Sequence, residues 1–166
     1  YCRGPYCLMA KDAVELLRKD RGDSFTVVLF GRDDSVPVSG GYKAAGMIRD
    51  ERLLNLYYNA ADVFVLPSLA DNLPNTLVEA TAAGTPCVTF DVGGCAEVVR
   101  HGHTGFVAKY KDATDLSKCI RRVLDMSEDQ KRQMRANCRE VAEQEYDMKL
   151  QADRYLKLFE EMLQKR

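Results

Sequence analysis

Short apolar runs and helix-spaced apolar positions alternate along this chain. Phe25-Thr26-Val27-Val28-Leu29-Phe30, Val63-Phe64-Val65-Leu66 and Cys87-Val88-Thr89-Phe90 read as strands, the second as one buried on both faces. Lys43 to Ile48 holds a further short strand, with Gly46 at a turn. Between these runs the spacing is helical. Residues 7–20 place Leu8, Val14, Leu16 and Leu17 inward. Asp50 caps a helix through Leu53, Leu54, Leu56 and Tyr57. Pro74 sits where the next helix starts, because a first-turn residue needs no backbone N–H partner. That helix runs through Leu77, Val78, Glu79 and Ala80, and Gly84 and Pro86 end it. Asp112 or Thr114 opens another, with Leu116, Cys119, Ile120, Val123 and Leu124 on one face. Ser127 with Gln130, beside Glu128 and Asp129, forms a capping signal for a helix to about Gln144. A last helix over 147–164 carries Met148, Ala152, Tyr155, Phe159 and Met162 at four- and three-residue steps. The alternation predicts an α/β fold: three layers, a mostly parallel sheet flanked by helices, plus C-terminal helices. It also calls for a strand before the first helix, where residues 1–6 (YCRGPY) read as a loop.

A length of 166 residues fits one domain, 1–166, and a 46 % apolar, 30 % charged composition is that of a soluble globular protein. The net charge of −1 implies no general attraction to polyanions, and Lys118, Arg121 and Arg122 read as a solvated helix face rather than a nucleic-acid contact. No apolar run approaches the roughly 18 residues of a membrane span. The chain shows no signal peptide and starts at Tyr1 rather than Met, which reads as a piece of something longer. The cysteines (Cys2, Cys7, Cys87, Cys95, Cys119 and Cys138) form no C-x-x-C pair and read as free thiols in a reducing cytoplasm. His101 and His103 have no acidic or Cys partner at ligand spacing, so no metal site is expected.

Candidate chemistry concentrates between Ala61 and Asp91, which reads as strand, loop, helix, turn and strand. Ligands of open parallel sheets sit outside the carboxyl ends of the strands. Asp71 and Asn72 lie in such a loop, and Glu79 lies eight residues after Asp71, near the start of the helix. The exposed N–H groups of a first helical turn attract anions such as phosphate. Two carboxylates for sugar hydroxyls beside a phosphate-binding helix end suit a nucleotide-sugar.

Asp71-Asn72-Leu73-Pro74-Asn75, then Glu79-Ala80, then Ala83-Gly84-Thr85-Pro86, resembles the signature of the group 1 (family 4) retaining glycosyltransferases. Gly93-Gly94-Cys95-Ala96-Glu97 resembles that family's Gly-Gly-x-x-Glu turn into a short helix, and His101 to Phe106 its Asp-Gly-x-Thr-Gly turn. The resemblance implies a Rossmann-like, donor-binding domain forming the C-terminal half of a two-domain enzyme whose N-terminal acceptor half is absent here. It places Asp71 near the transferred sugar, although many members have Glu there, and Glu79 on the ribose hydroxyls. It makes Arg3, in Arg3-Gly4, a diphosphate contact. It brings the backbone at Gly31 toward the donor and Met47 and Ile48 toward the base. Asn72, Leu73, Asn75 and Thr76 fall within the donor-binding motif.

The resemblance further implies retaining transfer of a hexosyl group from a UDP-, GDP- or ADP-sugar to a saccharide or lipid-linked acceptor, with no cofactor and no metal. The acceptor would be held by the N-terminal half, in the cytoplasm or at the inner face of the membrane, with a cell-surface polysaccharide or glycolipid as product. The C-terminal helix would cross back to that half, so that here its apolar stripe would be left exposed and cause association. The competing reading is a non-catalytic nucleotide-binding or interaction module on the same fold. A flavodoxin-like phosphoacceptor domain is disfavoured, because the only acidic pair after the first visible strand, Asp33-Asp34, lies in a loop.

Overall fold

The computed structural model describes residues 6–22, 24–31 and 42–164, with side chains from residue 10 onward. The elements follow in the order α1 (Tyr6–Arg21), β1 (Val27–Phe30), β2 (Tyr42–Gly46), α2 (Glu51–Ala60), β3 (Phe64–Leu66), α3 (Asn75–Ala82), β4 (Cys87–Phe90), α4 (Cys95–Val98), β5 (Gly105–Ala108), α5 (Ala113–Leu124), α6 (Glu128–Glu145) and α7 (Met148–Gln164). Every strand pair is parallel. The strands form two groups, β1-β2 and β3-β4-β5, rather than the one continuous sheet expected. Aromatic rings link the groups: Phe30 of β1 stacks on Phe64 of β3 at 5.9 Å.

Side-chain alternation along the three-stranded sheet sorts the core into two layers. On one face Val88 and Phe90 of β4 and Phe106 and Ala108 of β5 pack with Ala13 and Leu17 of α1 and Leu116, Ile120 and Val123 of α5. On the other, Phe64, Leu66 and Cys87 pack with Tyr58 of α2, Leu77 and Ala80 of α3, and Cys95 and Val98 of α4. Burial of each large side chain contributes about 1.5–3 kcal/mol. β4 is buried at all four positions, as a central strand between two helical layers must be. β5 has no counterpart in the sequence reading, which took His101 to Phe106 as a turn. Gly105 explains why a strand forms there: it pairs with Cys87, and a Cβ on it would lie 1.8 Å from the Cys87 carbonyl oxygen. Only a residue without a side chain lets β5 join β4 at that point.

Local signals fixed several boundaries. Asp50 caps α2 by accepting from the Arg52 and Leu53 N–H groups. Asp112 caps α5 by accepting from the Asp115 N–H. Ser127 and Gln130 form a reciprocal capping box at the start of α6. One boundary moves: Pro74 is the N-cap of α3, in extended conformation, one position before the first turn.

α6 lies along the C-terminal ends of α2 and α3. Arg135 donates to the Asn59 and Ala61 carbonyls, and Arg139 to the Ala82 carbonyl. Cationic donors thus satisfy the last carbonyls of both helices, where the helix dipole favours positive charge. The opposite end of α3, which follows β3, has no such cover. α7 buries none of its residues, and Arg154 and Gln151 reach back only to the Glu145 carbonyl.

Candidate functional site

The loop between β3 and α3 is held from three sides. Thr89 Oγ1 donates to the Leu66 carbonyl at 2.9 Å, where β3 ends. Tyr110, beyond β5, donates its hydroxyl to the Leu69 carbonyl at 3.0 Å. The Gly94 N–H, beyond β4, donates to the Asn72 carbonyl at 2.6 Å. All three anchors come from the carboxyl ends of neighbouring strands, so the parallel sheet itself shapes the loop. Asp71 is half-buried in it, close enough to Cys95 for its charge to help raise that thiol's pKa, after burial itself.

The first turn of α3 is uncapped. Pro74 offers no side-chain hydrogen bond, and the N–H groups of Leu77 and Val78 return to the Pro74 carbonyl. The N–H groups of Asn75 and Thr76 donate to no group among the described residues. A loop carboxylate such as Asp71 would ordinarily serve as cap. Asp71 instead makes no side-chain hydrogen bond or ion pair among the described residues, so the capping role is excluded.

Glu79 stands one turn further along α3, exposed. Its Oε2 accepts a hydrogen bond of 3.1 Å from the Tyr58 hydroxyl. Tyr58 is only 2 % exposed, and its phenol pKa is pushed up by burial first and by the Glu79 charge and hydrogen bond second. The phenol therefore stays protonated and donates to the Glu79 carboxylate.

The other sequence-predicted residues are placed as follows. Asn72, Leu73 and Asn75 are exposed and Thr76 half-buried, around the start of α3. Gly31 follows β1 at φ +125, and its N–H donates to the Gly46 carbonyl, so it closes the β1-β2 pair. Met47, half exposed, and Ile48 follow β2, which ends two residues earlier than expected. No hydrogen bond or ring contact among the described residues links Met47 or Ile48 to Asp71 or Glu79. Arg3 lies outside the described residues, as does the loop carrying Asp33 and Asp34. His101 and His103 turn to the Val107 backbone and to Asn137, and among the described residues no three His, Cys, Asp or Glu side chains gather at metal-ligand spacing.

Two contacts at the site were not foreseen from the sequence. Tyr58 lies 21 residues before Glu79 in a helix of ordinary amphipathic pattern. The tightness of the Gly93-Gly94 turn against Asp71 and Asn72 is a tertiary contact. The one available signal was the doubled glycine itself.

The comparison with known proteins decides the family. The family described as Glycosyl transferases group 1 matches residues 7–126. The chain belongs to the group 1 glycosyltransferases. Among curated relatives, the N,N'-diacetylbacillosaminyl-diphospho-undecaprenol alpha-1,3-N-acetylgalactosaminyltransferase of Campylobacter jejuni is 39 % identical over 105 residues, covering 61 % of this chain and 27 % of the relative. A D-inositol 3-phosphate glycosyltransferase of Nocardia farcinica is 27 % identical over 158 residues, covering 81 % of this chain and 32 % of the relative. The chain thus spans about a third or less of the length of these curated relatives. Among solved structures, a sucrose-phosphate synthase from Thermosynechococcus elongatus superposes with a TM-score of 0.80 at 23 % identity, covering 93 % of this chain and 42 % of that one. A glycosyltransferase from Rickettsia africae gives 0.83 at 17 % identity, covering 98 % and 45 %. These likenesses establish the Rossmann-like fold.

Proposed function

We propose that this chain is the nucleotide-sugar-binding, C-terminal half of a retaining glycosyltransferase. One observation carries the reading: α3 opens uncapped beside an anchored acidic loop, and Glu79, one turn along, is held from behind by a buried phenol. An uncapped first turn offers N–H groups and dipole to a diphosphate. Here the free donors are those of Asn75 and Thr76. Glu79 Oε1, which has no partner among the described residues, accepts from ribose hydroxyls. Asp71 stands at the sugar end of the donor. A pneumococcal O-GlcNAc transferase of similar fold was solved with UDP and GlcNAc, and an Anabaena protein of similar fold with UDP-glucose, which supports this class of donor.

In the reaction, the bond between the anomeric carbon and the diphosphate oxygen breaks. A bond from the acceptor hydroxyl oxygen forms on the same face of the sugar. The acceptor proton passes to the leaving diphosphate, so no protein base is consumed. The domain's contribution is stabilisation of the charge that develops on the diphosphate. Saccharide or lipid-linked acceptors would be bound by the rest of the polypeptide. The test is glycosyl transfer by the full-length protein, with the anomeric configuration of the product read by NMR. Retention, with transfer lost in Glu79→Ala, supports the proposal. Inversion, or unchanged transfer by Glu79→Ala, overturns it.

A further inference from the structure

We propose that Tyr58 is a positioning residue that sets Glu79 for recognition of a ribose diol. The inference rests on the donor-binding reading and adds to it a residue from a different helix. Glu79 is exposed, and an exposed glutamate samples several rotamers. The Tyr58 hydroxyl removes that freedom by engaging Oε2 from the protein side. Oε1 and the remaining lone pairs of Oε2 are then directed outward, as two adjacent hydroxyls require.

Tyr58 can act in this way because it is itself immobile. Its ring meets Phe64 edge-on at 5.3 Å and Phe30 edge-on at 5.7 Å. Its backbone carbonyl accepts from Thr85 Oγ1 at 2.6 Å and from the Ala61 N–H at 3.1 Å. The next carbonyls of the chain, at Asn59 and Ala61, are held by Arg135. The hydroxyl thus projects from a fixed ring in the layer beneath α3 to a carboxylate at the surface. A packing role alone would need the ring and not the hydroxyl, because phenylalanine fills nearly the same space. A buried phenol whose sole hydrogen-bond partner among the described residues is an exposed carboxylate, itself otherwise unpaired among them, suits orientation.

The experiment uses this chain with UDP, GDP and ADP, each titrated beside its 2′,3′-dideoxy counterpart. For the nucleotide that binds, Tyr58→Phe weakens the ribonucleotide about fivefold to tenfold, the scale of one ordinary hydrogen bond. The dideoxy counterpart binds wild type and Tyr58→Phe alike. The Tyr58→Phe, Glu79→Gln double variant binds no worse than Glu79→Gln alone, because the two residues act as one unit. If Glu79→Gln weakens binding and Tyr58→Phe does not, or if Tyr58→Phe weakens the dideoxy nucleotide equally, the positioning role is wrong while the donor reading stands. If no nucleotide binds, or Glu79→Gln has no effect, the donor reading fails and the inference with it.

Discussion

A Cβ on Gly93 would lie 1.8 Å from the carbonyl oxygen of Asp71. The neighbouring Gly94 is as tight, with an added Cβ 2.0 Å from the Asn72 carbonyl oxygen. The two glycines are therefore the surface on which the acidic loop is moulded, and Gly93 also has φ +49, a conformation other residues adopt only with strain.

Gly93→Ala and Gly94→Ala are each expected to push the loop at Asp71 and Asn72 outward. Stability should fall by about 1–3 kcal/mol, the range for overpacking a fitted contact. Nucleotide binding should fall with it, because Asp71 moves. Thermal melts and titrations of the two variants check this. Wild-type melting and binding in either would show that the loop has room to spare.

Alkaline pH should destabilise the domain through its buried thiols. Burial pushes the Cys138 thiol from the ordinary 9.0 up to about 12 and raises Cys87 as well. A raised pKa means the folded state holds its proton more tightly. The stabilisation is therefore complete below about pH 9 and is lost as pH rises toward the folded values. At pH 10, each such thiol costs on the order of 1 kcal/mol relative to neutral pH. Melting temperatures between pH 8 and 11 should fall, and Cys138→Ala should reduce the slope. An unchanged slope in that variant would remove Cys138 from the account.

α7 contributes surface rather than core. Tyr155, Leu156, Phe159 and Met162 are each more than half exposed, and Tyr155 and Phe159 stack on one another at 6.4 Å. Deleting 148–164 should shift unfolding by no more than about 0.5 kcal/mol, as for changes away from the core. It should also lower concentration-dependent self-association in analytical ultracentrifugation. A large loss of stability would show that the helix docks on its own domain in solution.

The alternation of strand and helix, the caps at Asp50, Asp112 and Ser127, and the apolar stripe of α7 were legible because each is a local pattern, whereas the exposure of that stripe followed only from the family resemblance. β5 was not. Gly-Phe-Val-Ala is short, and it becomes a strand only because Gly105 fits against Cys87. Nor was the division of the strands into two groups, which depends on pairing and not on any one run. At the site, the motif located the loop and α3. The support beneath them, Tyr58 under Glu79 and Gly93 under Asp71, joins residues more than twenty positions apart and leaves no periodic trace.

The most direct test of the central claim is the melting temperature of this chain with UDP-, GDP-, ADP- and dTDP-sugars, for wild type and Glu79→Gln. A donor at about 100 times its dissociation constant adds roughly 2.7 kcal/mol, or about 5–11 °C for a domain of this size. A shift of that order with one nucleotide class, largely abolished in Glu79→Gln, is the expected result. No shift with any donor, for this chain or the full-length protein, or a shift that Glu79→Gln leaves intact, would contradict it.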